Sequence, residues 1–271
     1  MIASDRPQEG VAVVDAAAAA SALLAARRSG AELVALQQLV IDGDPSSMTP
    51  EQAYAVQDAL ADRHGGRQVG WKIGMTNDER RGAMGLTEPT CGRLFDDMLL
   101  PASARLPASQ RLRLLEPELV VRIHSTLSTE CTRDEIAAAS TLSGGIEVVS
   151  SRLREWPDAP VWCAIADNSA AECVVAAETE RELPAEQVAD IAVTFSGPNG
   201  EIDGIGSVIL GHPFEAVRWL QRHLNATGRG SLKPGDLVFT GGLTTAVPSS
   251  PGRFRAEYSH GLGSVEMEVD G

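Results

Sequence analysis

Leu114-Leu115-Glu116-Pro117-Glu118-Leu119-Val120-Val121 is the stretch on which the reading of this chain turns. Its β-branched and leucine content fits an extended strand, and in a strand residues two apart share a face. Glu116 and Glu118 therefore point the same way, a few ångströms apart. Two carboxylates so placed repel one another unless water or a cation separates them. Two readings follow: a half-exposed strand with both acids in water, or a pair of oxygen ligands for a hard divalent cation such as Mg²⁺ or Mn²⁺. Further along, Gly144-Gly145-Ile146-Glu147-Val148-Val149 sets one acid in an otherwise apolar strand. There a carboxylate is costly unless it faces solvent, is paired or binds metal. Glu116, Glu118 and Glu147 together make a plausible carboxylate set that leaves metal positions open, and a 2-oxo acid is a natural bidentate guest through its carboxylate and keto oxygen.

Outward from this strand, the chain before residue 67 reads as helical and the chain after it as mainly strands. Residues 1–10 read as a lead. Residues 11–42 are rich in Ala and Leu and fit one or two helices. Thr49-Pro50-Glu51-Gln52 is a helix start, with Thr49 and Gln52 as a capping box and Pro50 at the first helical position; Gly65-Gly66 should end that helix near His64. Val69, Trp71 and Ile73 alternate with Gly70, Lys72 and Gly74 as a strand. Further strands are expected over 118–124, 145–150, 191–196, 205–210, 236–240, 253–258 and 263–269. Helices are expected over 132–140, opened by Thr132 and Glu135, and over 213–226, opened by Pro213 and closed by Gly228. The pattern is α+β, with a helical region over 1–66 and a catalytic region over 67–271.

Composition narrows the function. The net charge of -14 leaves no basic patch to neutralise phosphates, which argues against nucleic acid as a partner. An acidic surface repels anions at long range, so an anionic substrate needs local positive charge from a metal or a few placed Lys and Arg. Aromatics make up only 4% of residues, so the core rests on Leu, Val, Ile and Ala. Cys91, Cys131, Cys163 and Cys173 form no CxxC pair and read as small buried hydrophobes in a reducing compartment. No signal peptide and no membrane-spanning run is expected, so the cytoplasm is the default.

Several other segments carry polar groups that suit a site. Lys72, between two glycines in a hydrophobic strand, fits a proton shuttle or a carboxylate-binding cation, and equally a lysine snorkelling from a strand end. Asp167-Asn168-Ser169 is a polar knot between apolar stretches, either a plain turn or a hydrogen-bonding loop. His212 reads as a loop or cap residue. Thr240-Gly241-Gly242-Leu243-Thr244-Thr245 either presents backbone N–H groups to a carboxylate or forms a glycine-rich turn.

Taken in order, GWKIGMTN, GLTEPTCGRLFDDML, LLEPELVV, GGIEVVSSR, IADNSA, GHPFEAVRWL and LKPGDLVFTGGLTTAVP resemble the 2-keto-4-pentenoate hydratase and 4-oxalocrotonate decarboxylase family, within the fumarylacetoacetate hydrolase superfamily. The resemblance spans roughly residues 48 to 269. It implies N-terminal helices followed by a mixed β-roll, and homo-oligomers. It also implies Mg²⁺ or Mn²⁺ on Glu116, Glu118 and Glu147. Lys72, Asp167, Asn168 and Ser169 match the family's catalytic positions, and Thr90, Arg152 and Thr244 are candidate substrate contacts. The implied activity is a metal-dependent lyase on a small anionic 2-oxo acid. The leading expectation is a hydratase of 2-hydroxypenta-2,4-dienoate. The alternatives are a 4-oxalocrotonate-type decarboxylase, a reassigned member or a non-catalytic partner subunit. A dicarboxylate substrate would need a second cation, for which Arg152 and Arg93 are candidates. Two positions depart from the family pattern: Thr90 stands where hydratases often carry Asp, and Ser150 stands in place of Asp after the IEVV strand.

Overall fold

The computed structural model describes residues 11–30 and 33–271; the lead expected over 1–10 lies outside them. The elements in chain order are α1 (Ala16–Ser29), α2 (Pro50–His64), β1 (Gln68–Gly74), α3 (Asp78–Ala83), β2 (Thr90–Phe95), β3 (Leu99–Leu100), β4 (Ala104–Leu106), β5 (Leu114–Ile123), α4 (Arg133–Ala138), β6 (Ser140–Val149), α5 (Val161–Ala166), β7 (Ala171–Ala176), α6 (Ala185–Val188), β8 (Ala192–Gly197), β9 (Gly200–Ile205), α7 (Pro213–Ala226), β10 (Leu237–Gly242), β11 (Val247–Pro248), β12 (Gly252–Tyr258) and β13 (Gly263–Val269). None of the described helices is long and apolar enough to cross a membrane.

The chain divides into two compact units. One combines the residues up to Gly65 with Ser151–Ala170, and the other combines Gly66–Ser150 with Ala171–Gly271. In the first, α1, α2 and α5 bury Leu23, Val56, Leu60 and Ile165. The Thr49–Gln52 capping box forms as the sequence requires, and Gly65 ends α2 in the left-handed conformation at φ 85°. Gln57, buried on α2, donates through Nε2 to the Ile165 carbonyl at 2.6 Å. Segment 151–170, which follows β6 in sequence, thus belongs with the helices.

The second unit holds two sheets. The larger runs β2-β1-β10-β5-β6-β7-β3, with β11 also pairing β5; the smaller runs β4-β13-β12-β8-β9. Parallel pairs (β1 with β10, β3 with β7, β4 with β13) sit among antiparallel ones, so both sheets are mixed. The Tyr258 hydroxyl of β12 crosses to β6, accepting from Gly145 N at 3.2 Å and donating to Gly145 O. β5 and β6 occupy the middle of the larger sheet, and both are buried along most of their length. Central position explains their unbroken apolar runs.

The sequence-based strands over 191–196, 236–240, 253–258 and 263–269 coincide with β8, β10, β12 and β13 within a residue or two. The strand expected over 205–210 is corrected. Strand β9 ends at Ile205, residues 206–208 form a 3₁₀ turn, and Leu210 adopts φ 50°. The short apolar run Val208-Ile209-Leu210 buries Ile209 within a turn, whereas β9 itself is a largely exposed edge strand and carries little hydrophobic signal. His212 caps α7, its Nδ1 accepting from Phe214 N at 3.1 Å, as a cap residue should.

At Gly70, β1 runs close against β10: a methyl group there would lie 1.9 Å from the Leu237 carbonyl oxygen. Gly70→Ala is therefore expected to cost about 3 kcal/mol, the upper range for overpacking, in denaturant unfolding. A loss below about 0.5 kcal/mol, the scale of a neutral surface change, would contradict the tight β1–β10 register.

Candidate metal centre and active site

Strand pairing brings the acids together. Glu116 on β5 lies directly opposite Glu147 on β6, and Glu118 lies opposite Gly145. One carboxylate oxygen from each of Glu116, Glu118 and Glu147 falls within 4.8 Å of the others. Glu118 and Glu147 are fully buried, and Glu116 is 16% exposed. The solvent-facing alternative for these residues is thus removed for two of the three.

Local irregularities aim the acids. Pro117 lacks the N–H that a central strand donates. Beside it the ladder to β10 slips, with Phe239 paired to Val120 but Gly242 to Glu118. The extra residue is a bulge, a device that turns side chains locally, and it points the Gly241 N–H at Glu118 Oε2 at 2.8 Å. The glycine segment therefore does present backbone N–H to a carboxylate, but to the protein's own. A side chain at Gly242 would meet the Glu116 carboxyl carbon at 3.1 Å, so glycine keeps this approach open.

Lys72 is the buried counter-charge, 4% exposed, with Nζ 3.1 Å from Glu147 Oε1. Burial works against its ammonium, yet the fields of Glu147, Glu116 and Glu118 outweigh that and raise its pKa. The carboxyl pKa of Glu118 is pushed well up, first by burial and then by Glu147 and Glu116. That of Glu116 is also raised, first by burial and then by Glu147, against the pull of Lys72 and Arg80. At an effective dielectric of about 20, like charges about 5 Å apart repel by roughly 3–4 kcal/mol per pair. One lysine cannot balance three such acids: the buried charges of Glu116, Glu118, Glu147 and Lys72 sum to -2. Glu118 Oε1 and Glu147 Oε2 accept no hydrogen bond, and Glu147 Oε1 meets the Lys72 ammonium, which leaves carboxylate oxygens turned inward and unused. An all-oxygen donor set of net charge -2 fits a hard divalent cation.

Thr90 is buried on β2 opposite Gly74. Its Oγ1 and the Lys72 Nζ lie 3.1 and 3.8 Å from where a Cβ on Gly74 would stand, so a neutral hydroxyl and the ammonium border the same space over Gly74. Thr244 donates through Oγ1 to the Thr245 carbonyl at 3.0 Å. Ser150 donates to the Leu112 carbonyl at 2.8 Å.

Asp167, Asn168, Ser169 and Arg152 belong to the helical unit. There the buried Asp167 carboxylate accepts from Arg152 Nε at 2.8 Å, from Arg152 N at 2.6 Å and from Ser151 Oγ at 2.6 Å. For Asp167 or Arg152 to engage a substrate, this network has to open. Asn168, Ser169 and Ala170 all hold positive φ, 54°, 53° and 56°, a strained run for side-chain-bearing residues.

Sequence reasoning missed two residues. Arg80 on α3 places Nη1 3.5 Å from Glu116 Oε1; an arginine on a short polar helix gives no signal beyond solvation. Tyr258 braces the β6 backbone two residues before Glu147, and burial pushes its phenol pKa far up; a tyrosine alternating in a strand reads simply as core.

No family model matches the chain. A 2-keto-4-pentenoate hydratase of Burkholderia vietnamiensis is 30% identical over 260 residues, which cover 92% of this chain and 95% of the relative. The structure resembles that of 4-oxalocrotonate decarboxylase from Pseudomonas putida G7, complexed with magnesium and adipate: TM-score 0.84, 26% identity, 94% of this chain and 97% of the other covered. At the level of fold alone it resembles a yeast fumarylacetoacetate hydrolase family protein, with TM-score 0.56 and 13% identity over 76% of this chain and 93% of the other.

The raised carboxyl pKa values carry a stability consequence. Glu116 and Glu118 bind protons more tightly folded than unfolded, so without metal their contribution is most favourable below the ordinary value of 4.5 and is lost as pH rises through the raised folded values. Lys72, raised above 10.5, keeps its contribution across that range. Saturating Mn²⁺ is therefore expected to raise the thermal midpoint more at pH about 7.5 than at pH about 5. An equal rise at both would contradict the repelling, proton-holding triad.

Proposed function

From the membership of this chain in the 2-keto-4-pentenoate hydratase and 4-oxalocrotonate decarboxylase family, whose fold is that of the fumarylacetoacetate hydrolases, we propose that it is a divalent-metal-dependent lyase of small 2-oxo acids, foremost a hydratase of 2-hydroxypenta-2,4-dienoate. The observation that carries this is the convergence of Glu116, Glu118 and Glu147 within 4.8 Å. In this reading those residues hold Mg²⁺ or Mn²⁺, the ions suited to a carboxylate set. When bound, that ion supplies Lewis acidity toward the carboxylate and keto oxygen of a 2-oxo acid.

The protein's own residues supply the rest. Lys72, held charged by its acidic neighbours, carries a proton at Nζ and donates it during the reaction. Thr90 Oγ1 beside it orients water or substrate by hydrogen bonding. It carries no charge, so it takes up no proton as a carboxylate would. The burial of Lys72, Thr90, Glu118 and Glu147 keeps bulk water from competing with these contacts. In the helical unit, Asp167 fixes Arg152, and the Asn168–Ser169 turn follows it directly; we assign this loop a part in catalysis on the resemblance of its sequence to the family alone.

Decarboxylation of a 4-oxalocrotonate-type diacid is the second reading. It is favoured by the structural likeness to a decarboxylase; Thr90, neither acidic nor apolar, matches neither the hydratase nor the decarboxylase pattern. We further infer a homo-oligomer in the cytoplasm, a setting compatible with four cysteines that form no disulfide.

Loss of the dienol ultraviolet band of 2-hydroxypenta-2,4-dienoate, dependent on Mg²⁺ and stopped by chelator, is the expected result with purified protein. No loss with metal demonstrably bound would set the hydratase reading aside in favour of decarboxylation. Glu118→Ala is expected to abolish Mn²⁺ binding while the chain stays folded; stoichiometric Mn²⁺ in that variant would remove Glu118 from the ligand set. Lys72→Met should keep the metal and lower kcat by about 10²–10⁴-fold, the range of a positioned acid–base group. An unchanged kcat would contradict its proton role.

A further inference from the structure

Arg80 stands at the rim of the acid cluster. Its Nη1 lies 3.5 Å from Glu116 Oε1, with the Arg80 side chain 44% exposed and Glu116 only 16%. Among the described residues, Lys72 and Arg80 are the cations at ion-pair distance from the triad. Its neighbour Arg81 is anchored, donating to the Met75 carbonyl at 3.0 Å and pairing with Asp78. This fixes α3 against the end of β1 and leaves the long Arg80 side chain room to swing. The other cations considered for substrate charge are engaged elsewhere: Arg93 lies over the Trp71 ring at 5.0 Å, and Arg152 is held by Asp167.

Charge accounting gives Arg80 a task, on the reading that the triad binds a divalent cation. Three carboxylates and Lys72 sum to -2, so a divalent cation brings the buried set to zero. Glu116 is then committed as a ligand, and the Arg80 guanidinium loses its partner. An incoming 2-oxo acid brings one carboxylate beside the ligand that Arg80 had contacted. We propose that Arg80 is the carboxylate-binding residue of the site, parked on Glu116 until metal binds and then transferred to the substrate's C1 carboxylate. Guanidinium geometry suits this exchange, because its donors match one carboxylate as well as another. The arrangement imposes an order, metal first and 2-oxo acid second. It also balances the charge of a monocarboxylate, whereas a dicarboxylate would keep one charge unmatched.

The test is calorimetry on full-length wild type, Arg80→Gln and Arg80→Lys. Mn²⁺ is titrated first, then 2-oxopentanoate or 2-oxohexanedioate into the Mn²⁺-loaded protein. Arg80→Gln is expected to bind Mn²⁺ as tightly as wild type or more so, since a competitor for Glu116 is gone. Both anions should weaken by about 10-fold or more, the scale of a charge-assisted hydrogen bond, with partial recovery in Arg80→Lys. Unchanged anion affinity in Arg80→Gln would overturn the proposal, as would a loss confined to the diacid, which would put Arg80 on the far carboxylate. Failure of wild type to bind Mn²⁺ would overturn the underlying metal reading and this inference with it.

Discussion

Three carboxylates forced together in a nearly dry space are the constraint on which the rest of this structure depends. Glu116 and Glu147 face each other across β5 and β6, an arrangement that is unfavourable for like charges in any sheet. Glu118 joins them from two residues along the same strand. Left alone, the cluster either holds protons more tightly than free carboxylates do or destabilises the fold, and one buried lysine offsets only part of the repulsion. A divalent cation settles this in a single step. The energetic problem and the chemical capacity are therefore the same feature, as is usual where burial and like charge push carboxyl pKa values upward.

Much of the surrounding architecture serves that cluster. Pro117 and the β10 bulge turn Glu118 toward its neighbours and supply the Gly241 N–H. Tyr258 reaches from the smaller sheet to hold the Gly145 backbone through both of its polar groups, fixing β6 just before Glu147. Lys72 is borne by β1, separated from β6 by the two strands β10 and β5, so its ion pair with Glu147 ties the far side of the sheet to the middle. These supports lie on strands, which place side chains more firmly than loops do.

The sequence made the α+β order and the cluster of three acids legible because both rest on local rules. A period of two put Glu116 and Glu118 on one face, and apolar flanks marked Glu147 as an acid out of place. Capping boxes at Thr49 and Thr132 and the proline at 213 marked helix starts that the structure retains. The edge strand β9 was missed because it is largely exposed and rich in Gly and acids, and the turn at 206–210 mimicked a strand because Val208, Ile209 and Leu210 form a short apolar run. Arg80 was invisible because its contact with Glu116 joins residues 36 apart in sequence, which no local pattern encodes. The Arg152–Asp167 pair was read as two separate polar groups for the same reason.

The most direct test of the central claim is a crystal of the protein grown or soaked with Mn²⁺ and measured at the manganese absorption edge. The expected result is one strong anomalous peak per chain within coordination distance of carboxylate oxygens from Glu116, Glu118 and Glu147. A fully occupied peak elsewhere, or none at the triad at saturating Mn²⁺, would mean that the cluster is balanced by protons, Lys72 and Arg80, and the account of its chemistry would be wrong.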